Sequence, residues 1–214
     1  MLARFGAERR PEPQAAPSPA RVTLGELETR REQLKVMEGQ EKSRLRKATH
    51  AAVREDHITL LHSLADRLTE IEASIRAHIN AHPDLAEPAR LLQSIPGIGI
   101  VAATVLIAHL PELGRIDRRA IASLAGLAPK ARESGKWHGT RSIGDGRRHI
   151  RRALYMAALP ALRPSSCFAT TTAALRAKGK PGKVIAIAIA IARKLLVIAN
   201  AIIAKQEPFT AVKK

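Results

Sequence analysis

The chain has almost no aromatic residues and only one cysteine. Among its 214 residues are one Trp, one Tyr and three Phe, so aromatics make up 2% of the sequence. Proteins that bind single-stranded nucleic acid by base stacking use aromatic platforms, and this composition argues against that mode. The single Cys167 excludes an internal disulfide framework and a multi-cysteine zinc site. A core of Ala, Leu and Ile without aromatics favours helices packed closely on helices.

Acidic residues are also scarce relative to basic ones. The chain has 36 Lys and Arg against 19 Asp and Glu, a formal net charge of +17. A hydrophobic content of 45% argues against wholesale disorder, which requires few apolar residues as well as high charge. The charge therefore predicts a folded protein whose partner is a polyanion.

Long apolar runs are absent too. The N-terminus is charged and then Pro-rich, without the apolar stretch of a signal peptide. The longest uninterrupted apolar run, residues 184–192, is far shorter than the roughly 20 residues that span a bilayer. Its Ile/Ala alternation fits a buried strand, but the Ala content favours a core helix. We expect a soluble, cytoplasmic protein without a membrane partner, associated with the nucleoid when bound to DNA.

The hydrophobic pattern predicts an all-α protein with a helical arm and a compact domain. Thr23 and Glu26 have the spacing of a capping box, which predicts a helix over about 24–52. Apolar residues from Ile58 to Ile79 then alternate at spacings of three and four, typical of a coiled coil. An antiparallel hairpin and a dimerisation arm both fit this pattern. The predicted units are a linker remnant (1–22), a coiled-coil-like arm (23–86), a compact domain (87–205) and a tail (206–214).

A short turn in the compact domain has the pattern of a helix-hairpin-helix. Residues 91–103 read LLQSIPGIGIVAA, in which Gly97, Ile98 and Gly99 form the turn between two helices. Glycines allow a sharp turn and a close approach of the backbone. The second helix then presents its N-terminal N–H groups to a phosphate oxygen, which binds DNA without reading its bases. The alternative is a simple turn between two core helices.

Positive charge is concentrated between Arg115 and Lys183. This stretch has 16 Lys and Arg but only three acids, and a Gly-rich, hydroxyl-rich loop precedes a helix predicted over about 149–162. Cations of one sign repel each other unless a polyanion neutralises them, which favours phosphate contacts over a solvated loop. The predicted DNA-binding cations are Lys130, Arg132, Lys136, Arg141, Arg147, Arg148, Arg151 and Arg152.

These segments together resemble the C-terminal half of the insertion-sequence-110 family of transposases, especially its 1111 subgroup. The resemblance covers residues 91–203 through four motifs in the family's order: the LLQSIPGIGI turn, GLAPKARESGK, GRRHIRRALYMAAL and AKGKPGKVIAIAIAIARKLL. The helical segment before them also looks like the family's central, dimerising region. The resemblance implies a recombinase that cuts and rejoins duplex DNA under the direction of a structured guide RNA.

The same resemblance implies how the chemistry is divided. The family's serine nucleophile falls on Ser134, and a separate RNase-H-like domain supplies a carboxylate quartet that binds metal. Residues 91–214 contain only five scattered acids, and the family's last acidic motif would fall just before Leu2. We therefore expect an N-terminally truncated member that has no cofactor of its own, binds Mg²⁺ only with the missing acidic domain, and is inactive alone.

Two functions of different class follow from these observations. One is the serine-dependent half of a transposase, in which Ser134 reaches a scissile phosphate. The other is a non-catalytic module that binds nucleic acid and forms homo-oligomers through the arm. A loop serine is a weak nucleophile that requires activation, and local sequence alone favours a structural role for Ser134 in the loop. The resemblance is what favours Ser134 as the nucleophile.

Overall fold

The computed structural model describes residues 8, 16–129, 133–134, 137–139, 143–163, 166–177 and 183–210. Within these residues the chain forms eight helices and one two-stranded antiparallel ladder. The all-α prediction is confirmed. The elements are α1 (Pro19–Leu45), α2 (Ala51–Ala81), α3 (Pro83–Gln93), α4 (Ile100–His109), α5 (Arg118–Leu124), β1 (Glu133–Ser134), β2 (Trp137–His138), α6 (Arg148–Ala161), α7 (Ala169–Ala177) and α8 (Lys183–Lys205).

The first helix begins earlier and ends earlier than its pattern predicts. Ser18 is its N-cap and accepts a hydrogen bond from the Arg21 amide at 3.2 Å, with Pro19 in the first turn. Thr23 therefore lies inside α1, and the predicted capping box is wrong. The helix ends at Leu45 rather than at 52, and the Arg54 guanidinium donates to the Leu45 and Ala48 carbonyls across the turn.

α1 and α2 form an antiparallel hairpin within one chain. Arg31 and Glu72 form an ion pair at 2.8 Å across it, and Leu34, Leu64 and Leu68 form a small apolar cluster. Of the two arrangements that fit the sequence pattern, an antiparallel hairpin and a dimerisation arm, these contacts show the hairpin. The apolar seam between the helices is covered within the same chain.

The base of the arm is part of the main core. Leu24 of α1 and Ile75 and Ile79 of α2 are buried in the same cluster as the compact domain. Glu28, which is 3% exposed, contacts His109 of α4 at 2.6 Å. The arm is thus attached to the compact domain by both apolar and polar contacts.

α8 lies at the centre of the compact domain, with α3, α5, α6 and α7 packed against it. Its predicted helical and core character is confirmed, because Ile191, Leu195 and Leu196 are fully buried. Full burial of such a side chain contributes about 1.5–3 kcal/mol to folding. Residues 186–205 form a helix long and apolar enough to cross a bilayer, yet half of this stretch is buried inside the fold.

A buried amide on α8 fixes the turn that follows α4. The Asn200 side chain accepts from the Gly114 amide at 2.7 Å and donates to the Ile116 carbonyl at 2.8 Å. Gly114 has φ +82°, and a Cβ there would meet Ile203 at 2.7 Å. The 110–117 turn, which contains Glu112, is therefore held against the core.

Candidate nucleic-acid interface

The predicted helix-hairpin-helix turn lies between α3 and α4, but its three predicted residues differ in their surroundings. Gly97 has φ +98°, and a Cβ on it would lie 2.8 Å from the Ala157 carbonyl oxygen of α6. Ile98 is 3% exposed, so its side chain belongs to the core. Gly99 is the extended N-cap of α4, with no neighbouring atom within 4 Å of a Cβ built there. Of the three, Gly99 has the open backbone that a phosphate would approach.

A groove of about 480 Å³ runs beside this turn, between α1, α4 and α6. Lys35 lies on its α1 wall, Gly99 and Val101 on its α4 wall, and Arg152 and Met156 on its α6 wall. Val101 is 37% exposed and Met156 is 57% exposed. The groove thus combines the N-terminus of α4 with both cationic and apolar side chains.

The basic helix of the sequence analysis is α6, and it is amphipathic. Ile150 and Leu154 on its inner side are fully buried, whereas Arg148 and Arg152 are exposed. Arg152 forms an ion pair with Glu32 of α1 across the groove. Surface ion pairs of this kind contribute little to stability, so the Arg152 charge remains available to an anion.

Two other arginines that the sequence predicts as DNA-binding residues form hydrogen bonds within the protein. Arg147 donates to both carboxylate oxygens of Glu112, at 2.5 and 2.6 Å, and to the His109 carbonyl at 3.1 Å. These hydrogen bonds hold the pKa of Glu112 below its ordinary value and raise the pKa of Arg147. The Arg151 guanidinium donates to the Asp145 carbonyl at 2.6 Å. Arg147 lies in the segment just before α6, and Arg151 contacts that segment through Asp145.

Ser134 lies in the ladder, at the end of β1. Glu133 pairs with His138 and Ser134 pairs with Trp137, which makes a short antiparallel hairpin. The sequence predicted a loop here, and the backbone instead forms two short strands. Four of the predicted DNA-binding residues, which are Lys130, Arg132, Lys136 and Arg141, lie outside the described residues.

The sequence analysis missed cations from the arm that lie near α4. Arg31 of α1 and Arg76 of α2 line a second cleft together with Ile100 and Val101 at the start of α4. Both arginines fall in charge-dense amphipathic helices, where no local motif distinguishes them. Only the antiparallel return of α2 brings Arg76 to the same place as Arg31.

No metal centre is formed by the described residues. Nowhere in them do three His, Cys, Asp or Glu side chains come together as ligands could around an ion. His78 near the end of α2 and His82 just after it lie side by side, but their ring nitrogens contact the Ala20 and His78 carbonyls.

Comparison with known proteins relates this chain to transposases. The model of the transposase IS116/IS110/IS902 family matches residues 89–173, which run from α3 into α7. The pilin gene-inverting proteins of Moraxella bovis and Moraxella lacunata are each 32% identical to the chain over 213 residues. Over residues 89–173 the chain is similar to transposases of this family.

The extent of this relationship differs between relatives. The alignment with the pilin gene-inverting proteins covers 98% of the chain but 65% of their length. An uncharacterized 43.6 kDa protein of insertion element IS110 from Streptomyces coelicolor is 34% identical over 127 residues, which is 55% of the chain and 30% of that protein. The family match contains the turn at Gly99, the serine hairpin and the basic helix α6.

Proposed function

We propose that this transposase relative is the DNA-binding part of a recombinase that uses Ser134 as its nucleophile. The observation that carries the proposal is a juxtaposition within the family-matched segment. The open N-terminus of α4 at Gly99 and the exposed Arg152 of α6 line one groove. A helix N-terminus and an arginine fork both favour a phosphodiester oxygen.

The proposed ligand is the backbone of duplex DNA. With 2% aromatic residues the chain has few stacking platforms, while its net charge of +17 favours phosphates. Contacts to phosphates fix the position of a duplex but carry no sequence information of their own. We therefore expect affinity with little sequence preference, and any choice of target would come from elsewhere, such as a structured guide RNA.

Titration of a labelled duplex at several salt concentrations tests this proposal. About five phosphate contacts give a slope near −4.5 in log K against log salt, or a weakening of about 500-fold between 50 and 200 mM salt. Replacing both Arg148 and Arg152 with Gln should reduce the magnitude of that slope by about two. The control is Arg163→Gln, an exposed arginine just beyond the other end of α6. Binding that does not depend on salt would overturn the proposal.

The chemical step is proposed for Ser134. An unactivated serine hydroxyl is a weak nucleophile, and the described residues offer no cluster of metal ligands that could activate it. We propose that the activating carboxylates and their Mg²⁺ belong to an acidic domain outside these residues. By itself the chain would then bind DNA but not cut it.

An adduct assay tests the nucleophile. When mixed with the acidic domain of a full-length relative, its guide RNA, Mg²⁺ and target DNA, the chain should form a covalent DNA adduct that resists denaturant. Ser134→Ala should abolish the adduct and leave DNA affinity within about threefold, since one hydroxyl contributes little beside the phosphate contacts. Ser123→Ala, at an exposed serine of α5, is the control. An adduct that persists in Ser134→Ala would refute the assignment and leave the non-catalytic binding module as the function.

We also propose that the chain forms homo-oligomers through the distal part of the arm. Val36 and Met37 of α1 and Val53 and Leu60 of α2 are each more than 40% exposed there. A second copy of the chain would cover such side chains. As a DNA-bound recombinase it would act in the cytoplasm, at the nucleoid.

A further inference from the structure

The backbone is closed tightly at the base of the serine hairpin. Gly126 and Gly146 have φ angles of +67° and +62°, which favour glycine. A Cβ on Gly146 would lie 2.4 Å from the Gly126 nitrogen, and a Cβ on Gly126 would lie 2.2 Å from the Asp145 carbonyl oxygen. The two ends of the segment that contains Ser134 are therefore in direct contact, with no room for a larger residue at either glycine.

Arg147 follows this contact and joins it to two other elements. Its amide donates to the Leu124 carbonyl at the end of α5, at 2.8 Å. Its guanidinium donates to both oxygens of Glu112 and to the His109 carbonyl at the end of α4. We call the set of Glu112, Gly126, Asp145, Gly146 and Arg147 the loop clasp.

The other end of the clasp is fixed as well. Glu112 lies in the 110–117 turn, which Asn200 of α8 holds through the Gly114 amide and the Ile116 carbonyl. Because α8 is the central helix of the core, the position of Glu112 is set by the most buried part of the domain. The ion pair thus transmits that position to the base of the hairpin.

We propose that Arg147 and Glu112 are positioning residues, which hold the hairpin bearing Ser134 at a fixed place relative to α4 and α6. This role differs from the sequence-based prediction of Arg147 as a DNA ligand, and its connection to catalysis rests on the proposed role of Ser134. The guanidinium already makes three hydrogen bonds inside the protein, and its side chain is only 35% exposed. A phosphate could bind it only by breaking a bidentate carboxylate pair.

The hairpin requires such an anchor because its own ladder is short. Within the described residues the ladder contains two residue pairs, Glu133 with His138 and Ser134 with Trp137. An isolated two-stranded hairpin is marginally stable at best in water. The clasp at its base supplies contacts that the described part of the ladder does not.

The single tryptophan of the chain makes this testable, because Trp137 pairs directly with Ser134. Its time-resolved fluorescence anisotropy reports the motion of the hairpin, and duplex titration reports DNA binding on the same samples. The variants are Arg147→Gln, Arg147→Lys and Glu112→Gln. Arg148→Gln, at the exposed neighbouring arginine, is the matched control.

If the clasp positions the hairpin, all three clasp variants should raise the amplitude of fast Trp137 motion about twofold or more. DNA affinity should change by less than about twofold, because no phosphate contact is lost. Arg147→Lys should not restore the wild-type Trp137 motion, because an ammonium group cannot make the bidentate pair with Glu112. Arg148→Gln should give the reverse pattern, with weaker DNA binding and unchanged Trp137 motion.

The opposite result would overturn the inference. If Arg147 were a phosphate ligand, Arg147→Gln would reduce the magnitude of the salt slope by about one, Arg147→Lys would restore it, and Trp137 motion would stay unchanged. Arg147→Lys keeps the charge and the aliphatic stem, so it also serves if the Gln variant does not fold. If the wild-type chain bound no DNA, the proposed function would fail, but Trp137 motion would still decide whether the clasp holds the hairpin.

Discussion

Two glycines that stand two residues apart in the α3–α4 turn are required for different reasons. Gly97 has a positive φ and lies against the Ala157 carbonyl, so the fold itself requires glycine there. Gly99 has an extended backbone with open space around it, so the fold accepts a side chain at this position. Sequence reasoning treated the two alike, because the spacing of a motif does not reveal what each glycine faces.

This difference gives a prediction at the scale of single residues. Gly99→Val should leave the thermal midpoint nearly unchanged but weaken duplex binding by about tenfold, because a side chain at the N-cap keeps a phosphate from the α4 N–H groups. Gly97→Val should lower the midpoint by several degrees, because its Cβ would meet backbone that cannot move away. Thermal unfolding followed by circular dichroism, together with duplex titration, separates the two effects. Equal binding by Gly99→Val and wild type would remove the α4 N-terminus from the interface.

At the scale of elements, the arm shows what hydrophobic periodicity can and cannot predict. The three-and-four spacing identified α2 correctly as an amphipathic helix. It did not identify every residue of the buried face, since Leu64 is buried while Ala65, which continues the spacing from Ile58 and Leu61, is exposed. Which residues of α2 are buried depends on the helix that packs against it, and that helix is α1 of the same chain. The pattern of α2 alone could not distinguish α1 from a helix of a second copy of the chain.

The apolar side chains left exposed on the arm give a prediction about assembly. Glu41 of α1 contacts His57 of α2, and Met37 and Leu60 each lie about one turn from that contact, at a similar level of the arm. Replacing both with Glu should shift the chain towards monomer in light scattering after gel filtration, since burying two unpaired carboxylates in an interface is costly. Val22→Glu, at an exposed apolar residue near the base of the arm, should not change the mass. An unchanged mass in the double variant would exclude this part of the arm as the interface.

At the scale of the whole molecule, elements distant in sequence are joined by a few polar contacts around α4. Glu28 of α1 contacts His109 of α4, and Glu112 after α4 pairs with Arg147 before α6. Such contacts link the arm, the core and the hairpin base into one structure. The pKa of the Glu112 carboxyl is lowered by its partner Arg147, so the stability of that structure depends on pH.

The direction of this dependence follows from Glu112. Its folded pKa is lowered below the ordinary 4.5, mainly by the hydrogen bonds from Arg147, so its contribution to stability is complete above that value. The contribution is lost progressively as the pH falls below 4.5 and through the folded pKa, because the protonated group no longer pairs as an anion. The free energy of unfolding should therefore fall with acid in this range, and Glu112→Gln should flatten that fall.

Urea unfolding measured between pH 7 and pH 3 checks this expectation. Glu87→Gln is the matched control, because the pKa of Glu87 is also lowered by an arginine, Arg90, but the pair lies fully on the surface of α3. Screening by solvent makes such an exposed pair contribute little. Equal flattening in both variants would mean that the Glu112 pair contributes no more than a surface pair.

The sequence by itself determined the features that depend on local pattern. Apolar spacing predicted the two helices of the arm, the Ala-rich run 184–192 predicted the buried helix α8, and the Gly and Pro residues predicted the turn before α4. Charge counting predicted a basic helix where α6 lies. These features could be read in advance because helix formation and amphipathic burial depend on residues three or four apart.

The tertiary structure alone decided which charged residues and which glycines make contacts within the protein. Arg147 and Arg152 look alike in the sequence, but one pairs with Glu112 beside the core and the other lies exposed in the groove. Gly126 and Gly146 look like ordinary loop glycines, yet their backbones touch and close the base of the hairpin. The physical reason is that an ion pair or a backbone contact depends on which distant segments meet, and packing around α8 rather than local sequence determines that meeting.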